Sequence, residues 1–385
     1  MKQKRYKVLL AARYRWLTSA RLPALLHRCG YEVDVFGPER TSAARSLYAN
    51  VLTQGWGAED QLIDRLEAYL FGEPGYIDDY DWIIFLDDGI LELLVEAATK
   101  DDRWNRCMPV NPERFTPEAV ASKTKFNSIA KAAGLPIPDF VEISHQRDFD
   151  SAAQKLTFPL IYKPRHQWAG MGVTRIDTPE ELDGARDAFK KYGEGLLQNF
   201  IEGRVCLFEV LYSNGNPVFY ATTCKAKTIS GPMGPSSQRL SIYNPNVDFL
   251  VHEIGNLTGF HGLCGVDFIE DQTTKDIYII EMNFRPTSIN PYWKYFGIDF
   301  KRGILGFLSD NYSLQTPQHH EESPVHTYSC PEELSRCIRA SDWKSLLQCL
   351  TSLQFWQCFP WNDPPLWRIF AGELYSTWKY KRPEK

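Results

Sequence analysis

The chain has 385 residues, 43% of them hydrophobic and 24% charged, with a formal net charge of −5. That length exceeds a usual single core and predicts two or three domains. The slight acidity offers no chain-wide basic field for a nucleic acid, and no run of about 18 apolar residues is present to span a membrane.

YKVLLAA reads as a buried strand, Leu22–Cys29 as a helix, and YEVDVFG after Gly30 as a second strand. This β-α-β opening predicts a parallel sheet. DYDWIIFLDD adds a strand ending in Asp87 and Asp88, and GILELLVEAA the helix behind it. GxGxxG is missing, so a dinucleotide site has no support. The Pro-rich PVNPERFTP marks a boundary and gives an N-terminal α/β domain over residues 1–110.

EAVASKTKFNSIAKAAG is a helix carrying Lys123, closed by Gly134, Pro136 and Pro138. FVEIS is a strand, followed by a short helix. FPLIYKP is a strand carrying Lys163, HQWAGMGV a small-residue turn, GVTRID a strand, PEELDGARDAFKKY a helix and GLLQNFIEG a strand. VCLFEVLYSNGNPVFYATTCKAK reads as a hairpin around Asn214–Gly215. A loop, TISGPMGPSSQRL, a helix, NVDFLVHEIGNLTGF, and a second hairpin, LCGVDFIEDQTTKDIYIIEMNFR, complete a second domain over residues 111–310. The third region, 311–385, opens with the linker-like TPQHHEESPVHTYS. It continues with an amphipathic helix, DWKSLLQCLTSLQFWQCF, and ends in aromatics and bases.

The opening MKQKRYKVLLAARYRW lacks the apolar core and small-residue cleavage site of a signal peptide. Nine cysteines, an odd number without CxxC spacing, fit reduced thiols in a cytoplasmic protein better than a disulfide framework or zinc site.

The most informative stretch is IYIIEMNFR. A strand built for burial ends in Glu281, Asn283 and Arg285 at alternate positions, which places all three on one face. Burying them is costly unless something binds there. With Asp267 in the preceding strand, Glu281 and Asn283 offer the hard oxygens that Mg²⁺ takes alongside phosphate and water. A charged strand end at an exposed sheet edge is the competing reading. Lys123 and Lys163 come from different elements and can converge on phosphate; taken singly, each would read as a surface charge.

The ordered set of helical Lys123, Lys163 before a glycine-containing turn, Asp267 in GVDFIED and ExNxR in EMNFR resembles the ATP-grasp superfamily over roughly residues 110–300. The resemblance implies an α/β protein with an α+β nucleotide domain. A parallel-sheet domain would precede it and a small helical segment follow. Lys123 and Lys163 would hold ATP phosphates. The turn Trp168–Gly172, with Gly170 and Met171, would act as a lid, although it has fewer glycines than many relatives. Gln198, Asn199, Phe200 and Ile201 would frame the adenine. Many relatives have Glu where Gln198 stands and another after the next glycine, near Val205 here; Glu202 or Glu209 would then serve the ribose. Asp267, Glu281 and Asn283 would hold Mg²⁺ (or Mn²⁺). Arg285, as in the similar ExNxR of biotin carboxylases, would hold an anionic substrate or intermediate. Lys225, Lys227 and Arg239 flank a loop beside the nucleotide, with Lys225 and Arg239 favoured for contact.

The reaction so implied is ATP-dependent activation of a carboxylate as an acyl phosphate, attacked by an amine or, less often, a thiol, with release of ADP and phosphate. The partners would be a small-molecule carboxylate and amine, an amino acid among the candidates, with a homo-oligomer left open. Two alternatives stand beside it: a regulatory ATP-binding protein without turnover, and carboxylation of the biotin carboxylase kind. Asp87 and Asp88 would hold a substrate ammonium or cap a helix, the cap being favoured for Asp88. His166, His252 and His261 read as structural or exposed, and no cysteine has a paired base for covalent chemistry. The aromatic C-terminal segment reads as a cap on the core or as a membrane-surface or partner-binding helix with Trp367, Phe370, Tyr375 and Trp378 among Arg368, Lys379 and Lys381.

Overall fold

The computed structural model describes residues 6–53, 61–165, 170–231, 233–318 and 323–379. The N-terminal part contains β1 (Lys7–Ala11), α1 (Leu22–Cys29), β2 (Glu32–Phe36), β3 (Asn50–Val51), α2 (Leu62–Phe71), β4 (Trp82–Phe85) and α3 (Asp88–Ala98). Its four strands form a parallel sheet in the order β3-β2-β1-β4. The run VLLA that follows Lys7 in β1 is apolar throughout because both faces of a parallel strand are covered.

The middle part holds α4 (Lys123–Ala132), β5 (Phe140–Ile143), α5 (Asp148–Ala153), β6 (Leu160–Pro164), β7 (Thr174–Ile176), α6 (Leu182–Tyr192) and β8 (Gly195–Asn199). Strands β5-β8-β6-β7 make a small antiparallel sheet. Ile143, Phe149, Tyr162, Leu160 and Leu197 form a core of their own beneath it, apart from the two larger cores.

A larger antiparallel sheet, ordered β13-β12-β9-β10-β11-β14, takes up most of the remaining chain. Its elements are β9 (Gly203–Ser213), β10 (Asn216–Thr228), β11 (Ser236–Ser241), α7 (Asn246–Thr258), β12 (Gly262–Asp271), β13 (Ile277–Asn283), α8 (Phe300–Ser309) and β14 (His326–Tyr328). The expected Asn214–Gly215 hairpin joins β9 to β10. Both residues take positive φ, 49° and 87°, as a two-residue turn on twisted strands requires. The loop expected over TISGPMGPSSQRL is shorter than its sequence suggests, because β10 runs to Thr228 and β11 begins at Ser236.

The last helices are α9 (Glu332–Ala340), α10 (Trp343–Thr351), α11 (Leu353–Cys358) and α12 (Pro364–Lys379). The single helix expected across DWKSLLQCLTSLQFWQCF is broken at Ser352, whose side chain accepts from the Phe355 amide and caps α11. The stretch expected as a linker supplies β14, which pairs with β11 at Gln238, Arg239 and Leu240.

Two larger cores tie these parts together. In one, Leu94 and Trp104 of the N-terminal part share a cluster with Phe126, Phe208, Phe268 and Phe284. In the other, Val8 and Leu10 join Phe219 and Trp293, with Phe355, Leu366 and Phe370 of the last helices. Each such fully buried side chain contributes about 1.5–3 kcal/mol. The small sheet keeps its own core and touches the first cluster through Phe140 of β5, so the main cavity opens between a firmly packed body and a lobe with its own core.

Candidate active site

A cavity of about 780 Å³ lies between the small sheet and the large one. Of the expected site residues, Lys123, Lys163, Gly170, Met171, Gln198, Asn199, Phe200, Ile201, Lys225, Asp267, Glu281, Asn283 and Arg285 all line it. Trp168 lies outside the described residues, as does His166.

A one-residue bulge organises the acidic wall. Asp267 sits opposite Glu281, but Phe268 sits opposite Ile279, so Ile280 has no partner of its own. Before the bulge the odd residues Ile277 and Ile279 are core; after it the even residues Met282 and Phe284 are. The extra residue therefore flips the alternation and turns Glu281, Asn283 and Arg285 out of the core into the cavity. Paired in a regular ladder with no bulge, the same sequence would put all three on the face of Ile277 and Ile279.

Cations come to this wall from four elements. Ser122 caps α4 through the Lys125 amide at 3.3 Å, which starts the helix at Lys123. The Lys123 Nζ lies 2.6 Å from Glu281 Oε2. Lys163 on β6 donates to Gln198 Oε1 at 2.7 Å. Lys225 and Arg239 face one another across β10 and β11; Lys225 donates to the Gly234 carbonyl at 3.1 Å, and Arg239 lies 3.7 Å from Asp267 Oδ1. Lys227 does not line the cavity and lies 3.9 Å from Asp342.

Burial lowers the Lys163 pKa to about 8, with Glu281 opposing and Lys123 adding to the fall. Burial also lowers Lys225 and Arg239. It would raise Glu281, but Lys123 at contact distance outweighs it and holds that carboxyl below the usual range. Asp267 is raised, first by burial and then by the Glu281 charge. Two adjacent carboxylates, one of them strained by the other, are a donor set that a divalent cation relieves. Asn283 adds an amide, donating to Asp267 Oδ2 at 2.9 Å. Among the described residues no group of three or more His, Cys, Asp and Glu side chains is gathered for a metal. An ion here would complete its shell with phosphate oxygens and water. Arg239 buries Nε and Nη1 without hydrogen-bond partners, and an anionic ligand would supply them.

The apolar wall consists of Ile161, Met171, Ile201, Val205, Met233, Ile269 and Ile280. Arg175 stacks 4.2 Å over the Phe200 ring and lies 3.7 Å from Glu202. Gly170 has φ +76°, and a Cβ there would meet the Met233 carbonyl at 2.3 Å, so only glycine lets this turn press on the β10–β11 loop.

Glu209 is a correction. It shares the strand face of Val205 and Leu207 but is fully buried beneath Thr287, whose amide donates to it at 2.7 Å and whose hydroxyl also donates. Burial pushes its carboxyl up to about 7. It does not line the cavity, so of the two ribose candidates only Glu202 does. The paired aspartates are a second correction. Asp87, not Asp88, caps α3, accepting from the amides of Ile90, Arg13 and Tyr14 at 3.0, 2.8 and 3.1 Å. Asp88 lines the cavity and takes a two-pronged bond from Arg285 at 2.9 and 2.8 Å. The same guanidinium lies 5.1 Å over Trp16 and donates to Asn283 at 3.2 Å.

Trp16 was not legible as a site residue. Its place just beyond a parallel strand, where such sheets bind ligands, was the available signal. Ser329 and Glu332 also reach the cavity, so the C-terminal region forms part of its rim. His252 is exposed and His261 packs on Phe307. The nine cysteines are free and buried.

Residues 120–289 match the ATP-grasp domain family. Over 254 residues the chain is 24% identical to a carbamoyl-phosphate synthase of Methanobrevibacter smithii, covering 61% of this chain and 66% of that protein. Over 151 residues it is 32% identical to a D-alanine–D-alanine ligase of Hydrogenovibrio crunogenus, covering 34% and 48%. It thus spans two-thirds or less of the length of these two relatives. An N5-carboxyaminoimidazole synthetase from Staphylococcus aureus, in complex with ADP, superposes with a TM-score of 0.64 at 14% identity over 85% of this chain and 83% of that one. With the fold, the ordered lysines and the ExNxR strand in place, residues 120–289 of the chain form an ATP-grasp domain.

Proposed function

We propose that this cavity binds ATP and transfers its γ-phosphoryl group to a substrate carboxylate, so that an amine attacks the acyl phosphate and ADP and phosphate leave. The observation that carries this reading is the meeting of Lys123, Lys163, Lys225, Arg239 and Arg285 with Asp267, Glu281 and Asn283 around one cavity. Phosphoryl transfer needs charge neutralisation and positioning more than a strong base. Asp267, Glu281 and Asn283 would hold Mg²⁺, which when bound neutralises phosphate charge. Gln198 to Glu202 and the apolar wall flank the adenosine, Lys163 and Lys123 lie along the phosphates, and Arg239 offers unpaired donors to the transferred group.

The carboxylate substrate lies at Arg285. In the structure Asp88 fills that fork with its own carboxylate. A zwitterionic amino acid exchanges partners with this pair, giving its carboxylate to Arg285 and its ammonium to Asp88. The D-alanine–D-alanine ligase relative, whose name specifies amino-acid substrates, agrees with that class.

A screen of amino acids and other carboxylates in pairs, with ATP and Mg²⁺, tests the reaction. ADP and phosphate released only with an amino acid present are expected. Release driven by bicarbonate would favour carboxylation, AMP with pyrophosphate an adenylating enzyme, and no turnover under any pair a regulatory ATP-binding protein. The Asp88→Asn variant tests the substrate class. Losing a charged hydrogen bond costs about 1.5–3 kcal/mol, so KM for the amino acid rises about 10- to 100-fold while KM for ATP stays unchanged. Equal losses with the des-amino analogue would show that Asp88 only holds Arg285.

A further inference from the structure

Helix α10 is amphipathic in the wrong sense for a surface helix. It buries Ser345 and Cys349 and leaves Trp343 64%, Leu347 65% and Leu350 40% exposed, at i, i+4 and i+7 on one face. Leu353, the next apolar residue, is 68% exposed. Helix α12 buries Leu366 and Phe370 but exposes Trp367, Tyr375 at 60% and Trp378 at 67%, again along one side.

The two faces are continuous. Trp356 Nε1 donates to the Leu350 carbonyl at 2.5 Å, Trp356 stacks on Trp361 at 5.6 Å, Trp361 meets Trp367 edge-on at 5.7 Å, and Tyr375 lies 6.3 Å from Trp378. The indole N–H groups of Trp361 and Trp367 are also spent on backbone carbonyls, at 2.7 Å each. Three of these rings can therefore enter an apolar medium without stranding a donor.

Charge decides what covers this face. Residues 343–385 carry six Lys and Arg against three Asp and Glu, a net +3, while the whole chain is −5, so residues 1–342 carry −8. Of the acids in this segment, Asp363 is buried on Ser46 and Glu373 is paired with Arg15. Lys344, Arg368 and Lys379 are exposed on the same helices as the aromatics. In a two-fold dimer this basic face would meet its own copy, like charge against like, whereas an anionic lipid surface answers it. No described helix is long and apolar enough to cross a membrane, which suits a face that lies on one.

We propose that the aromatic, basic face of α10–α12 docks on an anionic lipid surface, with its tryptophans, leucines and Tyr375 at the headgroup–acyl boundary. The full chain is sedimented with vesicles of phosphatidylcholine alone and with about one-third phosphatidylglycerol. Partition to the anionic vesicles is expected to be at least about tenfold stronger and to fall with added salt. Each basic side chain near such a surface is worth about fivefold, so Lys344→Gln, Arg368→Gln and Lys379→Gln together lower partition by on the order of a hundredfold. Leu347→Glu with Tyr375→Glu abolishes it while the melting temperature and ATP turnover stay unchanged. Absence of sedimentation with either vesicle overturns the proposal. So does binding that the glutamate variant retains, or a concentration-dependent dimer that the same variant dissolves, which would assign the face to a second copy.

Discussion

Glu281→Gln is expected to lower turnover at least about 10³-fold, roughly 4 kcal/mol of transition-state stabilisation, while the fold survives. Glutamine keeps the shape but removes the charge that meets Lys123 at 2.6 Å and that, with Asp267, would face the metal. The loss falls on kcat more than on KM for ATP, because the charge being neutralised is greatest during phosphoryl transfer. Circular dichroism and the melting temperature separate this from unfolding: the carboxylate is only half-buried and its neutral form fits the same space. Wild-type turnover in this variant would remove Glu281 from the chemistry.

Lys163→Met is expected to cost about 10²–10³-fold in kcat/KM for ATP, the loss usual for one preorganised donor to a developing anion. Its pKa of about 8 gives the wild type a matching pH profile. The charged ammonium is the useful form and prevails below pH 8. kcat/KM for ATP therefore falls about tenfold per unit above that value, while bound phosphates raise the pKa and move the break in kcat higher. Lys163→Arg keeps its charge at every accessible pH and flattens the fall. A profile flat to pH 9.5, or full activity in the methionine variant, would place Lys163 outside the phosphate site.

Much of the architecture could be read from local pattern. Apolar runs gave the parallel opening, Asn214–Gly215 gave the long hairpin, and the lysine-to-ExNxR order gave the superfamily. What escaped depends on contacts distant in sequence. Nothing in SSQRLS or HTY announces two neighbouring strands, because β11 and β14 are short and polar and acquire their pairing only from the sheet edge they complete. Asp87 and Asp88 differ by one position, and local propensity cannot say which meets the amides of Arg13 and Tyr14 and which meets Arg285. Glu209 follows the alternation of cavity-facing Val205 and Leu207, yet Thr287, 78 positions away, closes over it. Ile280 looks like any other member of an apolar run; its lack of a cross-strand partner shows only once β12 lies beside it.

That unpaired isoleucine has a bearing on which sequence changes the chain can absorb. Substitutions at Glu281 or Asn283 touch the reaction and spare the body of the protein. Losing one residue from the run Ile277–Ile280 reaches neither: Ile279 would stay opposite Phe268 and Glu281 opposite Asp267, the ladder would close up regularly, and the acid, amide and guanidinium would keep the cavity face. In this hairpin the spare residue is slack in the strand, and loss of a single codon there would be absorbed by the ladder before it was felt as misfolding.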